Sequence, residues 1–225
     1  MDEYSSWIKK SKKDIQKRFD SESIPDRLRD TSSGMNERAE KNLDRMRSGI
    51  DFLRNDADAR MAFILANRSI RMSQNDPQHP DISMRSGAFK WRPFQIAFQL
   101  LNIESLCALE SGDSGWDDRG VVDLAWFPTA GGKTEAYLGV IAFTIFLRRL
   151  RHGDSGSGVT VLMRYTMRLL TIQQFQRASL LICACEWIRQ KNVGLGDSPI
   201  TIGLYVGSDA TPNQHRSIQY FGMVG

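Results

Sequence analysis

Apolar positions recur at helical spacing through the first third of this chain. From Phe89 onward, helical stretches alternate with short β-branched runs. Tyr4, Trp7, Ile8, Ile15 and Phe19, set among lysines and acids, predict an amphipathic helix over residues 1–22. Pro25 and Ser32-Ser33-Gly34 predict a linker over 23–34. Glu37–Leu53 is charged and helical with few apolar anchors, whereas Ala57, Met61, Ile64, Leu65 and Ile70 predict a packing helix over 57–72. Asn75-Asp76-Pro77 and His79-Pro80 break the pattern, so 73–90 reads as an irregular loop. Residues 1–80 are therefore expected to form a helical N-terminal prefix.

Trp91-Arg92-Pro93-Phe94-Gln95 opens the next helix, with Pro93 in the first turn, where a missing N–H costs nothing. Glu110–Gly120 is an acidic loop with glycines. Val121–Phe127, Val159–Met163 and Thr201–Val206 read as strands, separated by helices over Glu135–Arg151 and Thr166–Gln190, with a short turn over His152–Gly158. A β-α-β-α-β order predicts a parallel sheet with right-handed crossovers. The fold class expected from this order is α/β: a RecA-like P-loop parallel sheet over 81–225, incomplete, behind the helical prefix.

Between the first strand and its helix lies Pro128-Thr129-Ala130-Gly131-Gly132-Lys133-Thr134. Strand, glycine loop and helix in that order make a phosphate-binding context, because loop N–H groups and the helix N-terminus together favour an anion. Thr129, Ala130, Gly131 and Gly132 would cradle the phosphates, Lys133 would reach the β- and γ-phosphates, and Thr134 would offer its hydroxyl to Mg²⁺ carried by ATP. Phe127 stands where the general pattern has its first glycine, so the loop fits the relaxed form of superfamily 2 helicases better than that of small GTPases. The plain alternative is a chance turn capping a helix.

Upstream, Arg92 and Gln95 precede Lys133 by 41 and 38 residues. A glutamine amide donates and accepts at once, which suits the adenine edge. An ordinary helix-face glutamine is the competing reading, and Gln99 is the fallback. Downstream, Thr166, Arg168 and Gln173 mark the predicted start of a helix. Hydroxyl, guanidinium and helix N-terminus there would grip a nucleic-acid backbone without reading sequence. Gly207–Asn213 makes a turn after the third strand that reads equally well as an ordinary loop.

The 225 residues are 41% hydrophobic and 25% charged, which is globular composition. Net charge is only +4, yet six arginines and a single acid, Asp154, fall between Ile145 and Leu180, a segment that suits a polyanion or simply a solvated helix face. The longest apolar run, around Leu138–Leu147, is interrupted by Thr144 and closed by Arg148, too short to span a membrane. Met1–Ser6 is polar and acidic, unlike a secretory signal. Three cysteines, Cys107, Cys183 and Cys185, without paired spacing suggest buried thiols in a reducing cytoplasm. His79, His152 and His215 show no metal-like spacing.

Taken together, Trp91–Gln95, Asp123–Gly139, Arg164–Ala178 and Val206–Asn213 resemble the first RecA-type domain of the DISARM anti-phage helicases, the DrmA family of superfamily 2, over about residues 58–213. The resemblance implies an ATP-dependent DNA helicase or translocase of bacterial defence. Its cofactors would be ATP and Mg²⁺, and its partners DNA and other defence subunits. Lys133 and Thr134 fall on the family's ATP-loop positions. The family's acidic Asp-Glu pair, which holds Mg²⁺ and positions water, has no counterpart after residue 134, nor does a second RecA domain with its arginine finger. No catalytic residue is therefore assigned, and the expectation is an N-terminal ATP-binding segment that is incomplete as an enzyme. A non-catalytic nucleotide- or DNA-binding module acting through a partner is the alternative.

Overall fold

A computed structural model describes residues 1–22, 24–74, 90–112, 122–125, 132–164 and 168–205, with the side chains of 168–171 excepted. Six α-helices occur among them: α1 (Asp2–Ser21), α2 (Asp26–Asn55), α3 (Ala57–Ser73), α4 (Pro93–Glu110), α5 (Lys133–His152) and α6 (Arg168–Lys191), with a 3₁₀ turn at Gly153–Gly156. No helix among the described residues is long and apolar enough to cross a membrane.

Helix α5 is the centre of the packing. Ala136, Leu138, Gly139, Ala142, Phe143, Thr144, Ile145, Phe146 and Leu147 are buried along it, so it is enclosed on most of its circumference. Leu65, Ala66 and Ile70 of α3, Leu100 and Ile103 of α4, and Leu181, Cys185 and Ile188 of α6 close the same core. Helix α2 joins through Met46. Gly49 lies where α2 meets α4: a Cβ there would sit 2.2 Å from the Leu100 carbonyl oxygen.

The helical expectations over 1–22, 37–53, 57–72, 91 onward, 135–151 and 166–190 correspond to observed helices. The linker expected over 23–34 does not. Pro25 instead caps α2, and Ser32-Ser33-Gly34 continues helically into the charged segment. Nothing is packed where a Cβ on Gly34 would be, so the helix meets no tertiary objection. The loop expected over 73–90 falls almost wholly outside the described residues, as does most of Glu110–Gly120.

The expected RecA-like parallel sheet is contradicted. Among the described residues there is no strand: 122–125, 159–164 and 201–205 run irregularly beside the helices. Their β-branched and apolar residues are largely exposed, with Val122 at 89%, Leu162 at 80% and Tyr205 at 89%. A strand exists only when a neighbour completes its hydrogen-bond ladder and covers its side chains. β-prone composition does not supply a pairing partner. The described elements pack helix on helix.

The cysteine reading also needs amendment. Cys107 and Cys185 are buried, but Cys183 is exposed. Two positions along a helix turn a side chain through about 200°, so one of the pair faces the core and the other solvent. Burial pushes both buried thiols up to about 12.

Gly49→Ala tests the α2–α4 approach. Helix propensity alone favours alanine by about 1 kcal/mol, while overpacking a close contact costs about 1–3 kcal/mol. A backbone carbonyl cannot swing aside, so chemical denaturation should give a lower midpoint than wild type. An unchanged or raised midpoint would contradict the contact.

Candidate functional site

Gly132 caps the N-terminus of α5 at φ 83°, ψ 31°, a left-handed conformation that favours glycine. Lys133 and Thr134 are then the first two helical residues, both half-buried. The first N–H groups of a helix have no intrahelical acceptor and carry the positive end of its dipole, and the N-cap residue itself, a glycine, brings no side chain to them. Lysine, threonine and these donors form a chemistry that fits a triphosphate with its Mg²⁺. Thr129, Ala130 and Gly131 lie outside the described residues.

One feature of this terminus would oppose an anion by itself. Glu135 stands in the first turn, 14% exposed. Its Oε1 accepts a charge-assisted hydrogen bond from the Arg177 guanidinium of α6, which offsets part of its charge. Burial lowers the Arg177 pKa from its ordinary value. Arg177 also links α6 to the helix that opens with Lys133.

Gln95 sits beside the same terminus and is 4% exposed. Its Oε1 accepts from the Arg92 N–H at 2.8 Å, and its Nε2 donates to the Gly132 carbonyl at 2.7 Å. One turn on, Gln99 is 3% exposed, and a Cβ on Gly139 would lie 2.8 Å from its Cδ. The structure thus brings together Gln95, Gly132, Lys133 and Thr134, with exposed Arg92 at the rim. It places neither glutamine on the surface. Glu135 and Arg177 were not singled out from the sequence; the signal was an acid directly after Lys133-Thr134, where an anion site would not tolerate it unpaired.

The residues proposed for nucleic acid are less fully described. Thr166 lies outside the described residues, Arg168 is known only as the first residue of α6, and Gln173 is exposed. On the other side of α5 opens a cavity of about 1150 Å³, lined by Leu138, Ile141 and Ile145 of α5, by 156–164, by Phe175 and Ala178 of α6, and by 199–205. Glu186 anchors its far edge. Its carboxylate accepts from Arg189 Nε and Nη2 at 2.8 Å each, from the Ile200 N–H at 2.8 Å and from the Gln190 amide at 3.0 Å. Arg189 foremost holds the Glu186 carboxyl down to about 2, with burial opposing and the Ile200 N–H and Gln190 assisting.

Among the described residues, no group of three His, Cys, Asp or Glu side chains is placed to hold a metal ion.

The chain is 40% identical over 226 residues to the DISARM protein DrmA of Bacillus paralicheniformis, a match that takes in 94% of this chain and 19% of that protein. The chain thus spans about a fifth of its relative's length, and the resemblance to the DISARM family is shown over that stretch. No protein-family model matches the chain.

Glu186 makes a pH prediction. Its folded pKa is depressed, so its contribution is present above its ordinary value near 4.5 and is lost as pH falls from there toward about 2. Urea midpoints measured from pH 6 to pH 2.5 should drop more steeply in wild type than in Glu186→Gln. Parallel curves would remove the assigned role.

Proposed function

With sequence kinship to a DISARM protein as the premise, we propose that this chain is a component of a DISARM-type defence system and carries the ATP-binding segment of a DNA helicase or translocase. The observation that carries the reading is the entry to α5: left-handed Gly132, then Lys133 and Thr134 in the first turn, with Glu135 paired to Arg177. The reading rests on the N-terminus of α5. The helix N-terminus and Lys133 supply positive potential for the phosphates. Thr134 would hold Mg²⁺ brought by ATP, and Mg²⁺ would bridge and neutralise the phosphate oxygens. Nucleic acid would meet the start of α6, through Thr166, Arg168 and Gln173, without base reading.

Isothermal titration with a non-hydrolysable ATP analogue tests the first half. Lys133→Ala removes a charge-assisted contact worth about 1.5–3 kcal/mol, so affinity should fall at least about tenfold. Unchanged affinity in a folded variant contradicts the assignment. For the second half, fluorescence anisotropy with single-stranded DNA across a salt series is the measurement. Arg168→Ala should weaken all sequences equally and flatten the salt slope by about one unit. Loss confined to one sequence would show that Arg168 is not a phosphate contact.

A further inference from the structure

Gln95 is the glutamine that an upstream adenine-reading role would require, yet its amide is already committed. Reading an adenine edge takes one donor and one acceptor presented together on an accessible face. Here the acceptor serves the Arg92 N–H at 2.8 Å, a donor serves the Gly132 carbonyl at 2.7 Å, and the residue is 4% exposed. Turning the amide outward would break both of these hydrogen bonds at once. The space is also fitted to the present arrangement: a Cβ on Gly132 would lie 2.7 Å from Gln95 Nε2.

Resting on the ATP reading above, we infer that Gln95 is a positioning residue for the phosphate-binding terminus of α5 and not a reader of the nucleotide base. The mechanism is geometric. Gln95 is the third residue of α4, and the hydrogen bond between the Gln95 N–H and the Arg92 carbonyl, 2.9 Å, fixes its backbone in the first turn. Its side chain then reaches across to the Gly132 carbonyl. A trans peptide is planar, so fixing the Gly132 carbonyl fixes the Lys133 N–H antiparallel to it in the same plane. That N–H is one of the donors the helix terminus offers to a phosphate. Gln95 therefore acts through the Gly132–Lys133 peptide and is indifferent to the base. The next turn of α4 repeats the packing, Gln99 against Gly139, and so holds the two helices at one separation.

The test uses the full chain with three probes: ATP, GTP and inorganic tripolyphosphate. Gln95→Met keeps side-chain length and packing but removes both side-chain hydrogen bonds; circular dichroism and the thermal midpoint verify folding. Affinity for all three probes should fall by a common factor, about tenfold for the loss of a net stabilising hydrogen bond or two, with the ATP-to-GTP ratio unchanged. A loss confined to ATP, with tripolyphosphate unaffected, overturns the inference and makes Gln95 a base reader. No change with any probe overturns it as well. Binding of none of the three by wild type defeats the ATP reading and this inference with it, an outcome separable from the others because it appears before any variant is made. Gln95→Glu is the second variant, for use if the methionine variant does not fold. Relative to wild type at each pH, its tripolyphosphate affinity should recover as pH falls toward about 5, because the protonated carboxyl regains a donor for the Gly132 carbonyl. Absence of recovery contradicts the role.

Discussion

Helix α5 packs against α3, α4 and α6 over most of its length, so its place in the core sets where both of its ends lie. At the C-terminal end Arg151 ties it to its neighbours. Its guanidinium donates to the Cys107 carbonyl at 2.6 Å and the Ser111 hydroxyl at 3.0 Å, and it pairs with Asp56 at 2.5 Å. Asp56 in turn caps α3 by accepting from the Ala59 N–H at 2.9 Å. Burial raises the Asp56 carboxyl pKa, but Ala59 and Arg151 more than offset this and leave it below its ordinary value. One arginine thus locks the end of α5 to the start of α3 and the end of α4.

At the N-terminal end the constraint takes a different form. Gln95 holds the Gly132 carbonyl and Arg177 holds Glu135. The helix is placed by its core and its far end. A phosphate site would gain from that fixity, since donors that must reorganise on binding contribute less affinity than fixed ones. Just upstream of the loop, Asp123 is gripped in bidentate fashion by Arg45 of α2 at 2.7 and 2.8 Å, so a helix from the first third of the chain also fixes the approach to the site. That ion pair spans 78 residues of sequence, and no local pattern announced it.

The helices were legible because amphipathic spacing and breakers are local signals. Pro93 at the first turn of α4 and the apolar stretch of α5 are clear instances. The candidate site at Gly132, Lys133 and Thr134 is suggested by equally local features: a glycine run and the helix that follows it lie within a few residues. What composition could not settle was pairing. Val159–Met163 has strand-like residues, but a ladder depends on distant partners, and Val161 and Leu162 lie outside any sheet in this structure. Side-chain commitment was equally hidden. Gln95 is chemically suited to a base edge, and only the spatial position of Gly132 shows where its amide goes.

Backbone-amide resonances offer the most direct view of the N-terminus of α5. Titrating the full chain with inorganic tripolyphosphate and following amide shifts separates a site at this terminus from general attraction to arginines. The largest saturable shifts should fall on Gly132, Lys133, Thr134 and Glu135, with little change at Arg151 or His152 at the other end of the same helix. Shifts that concentrate instead on Arg148, Arg149 and Arg151, without saturating at the N-terminus, would contradict the account.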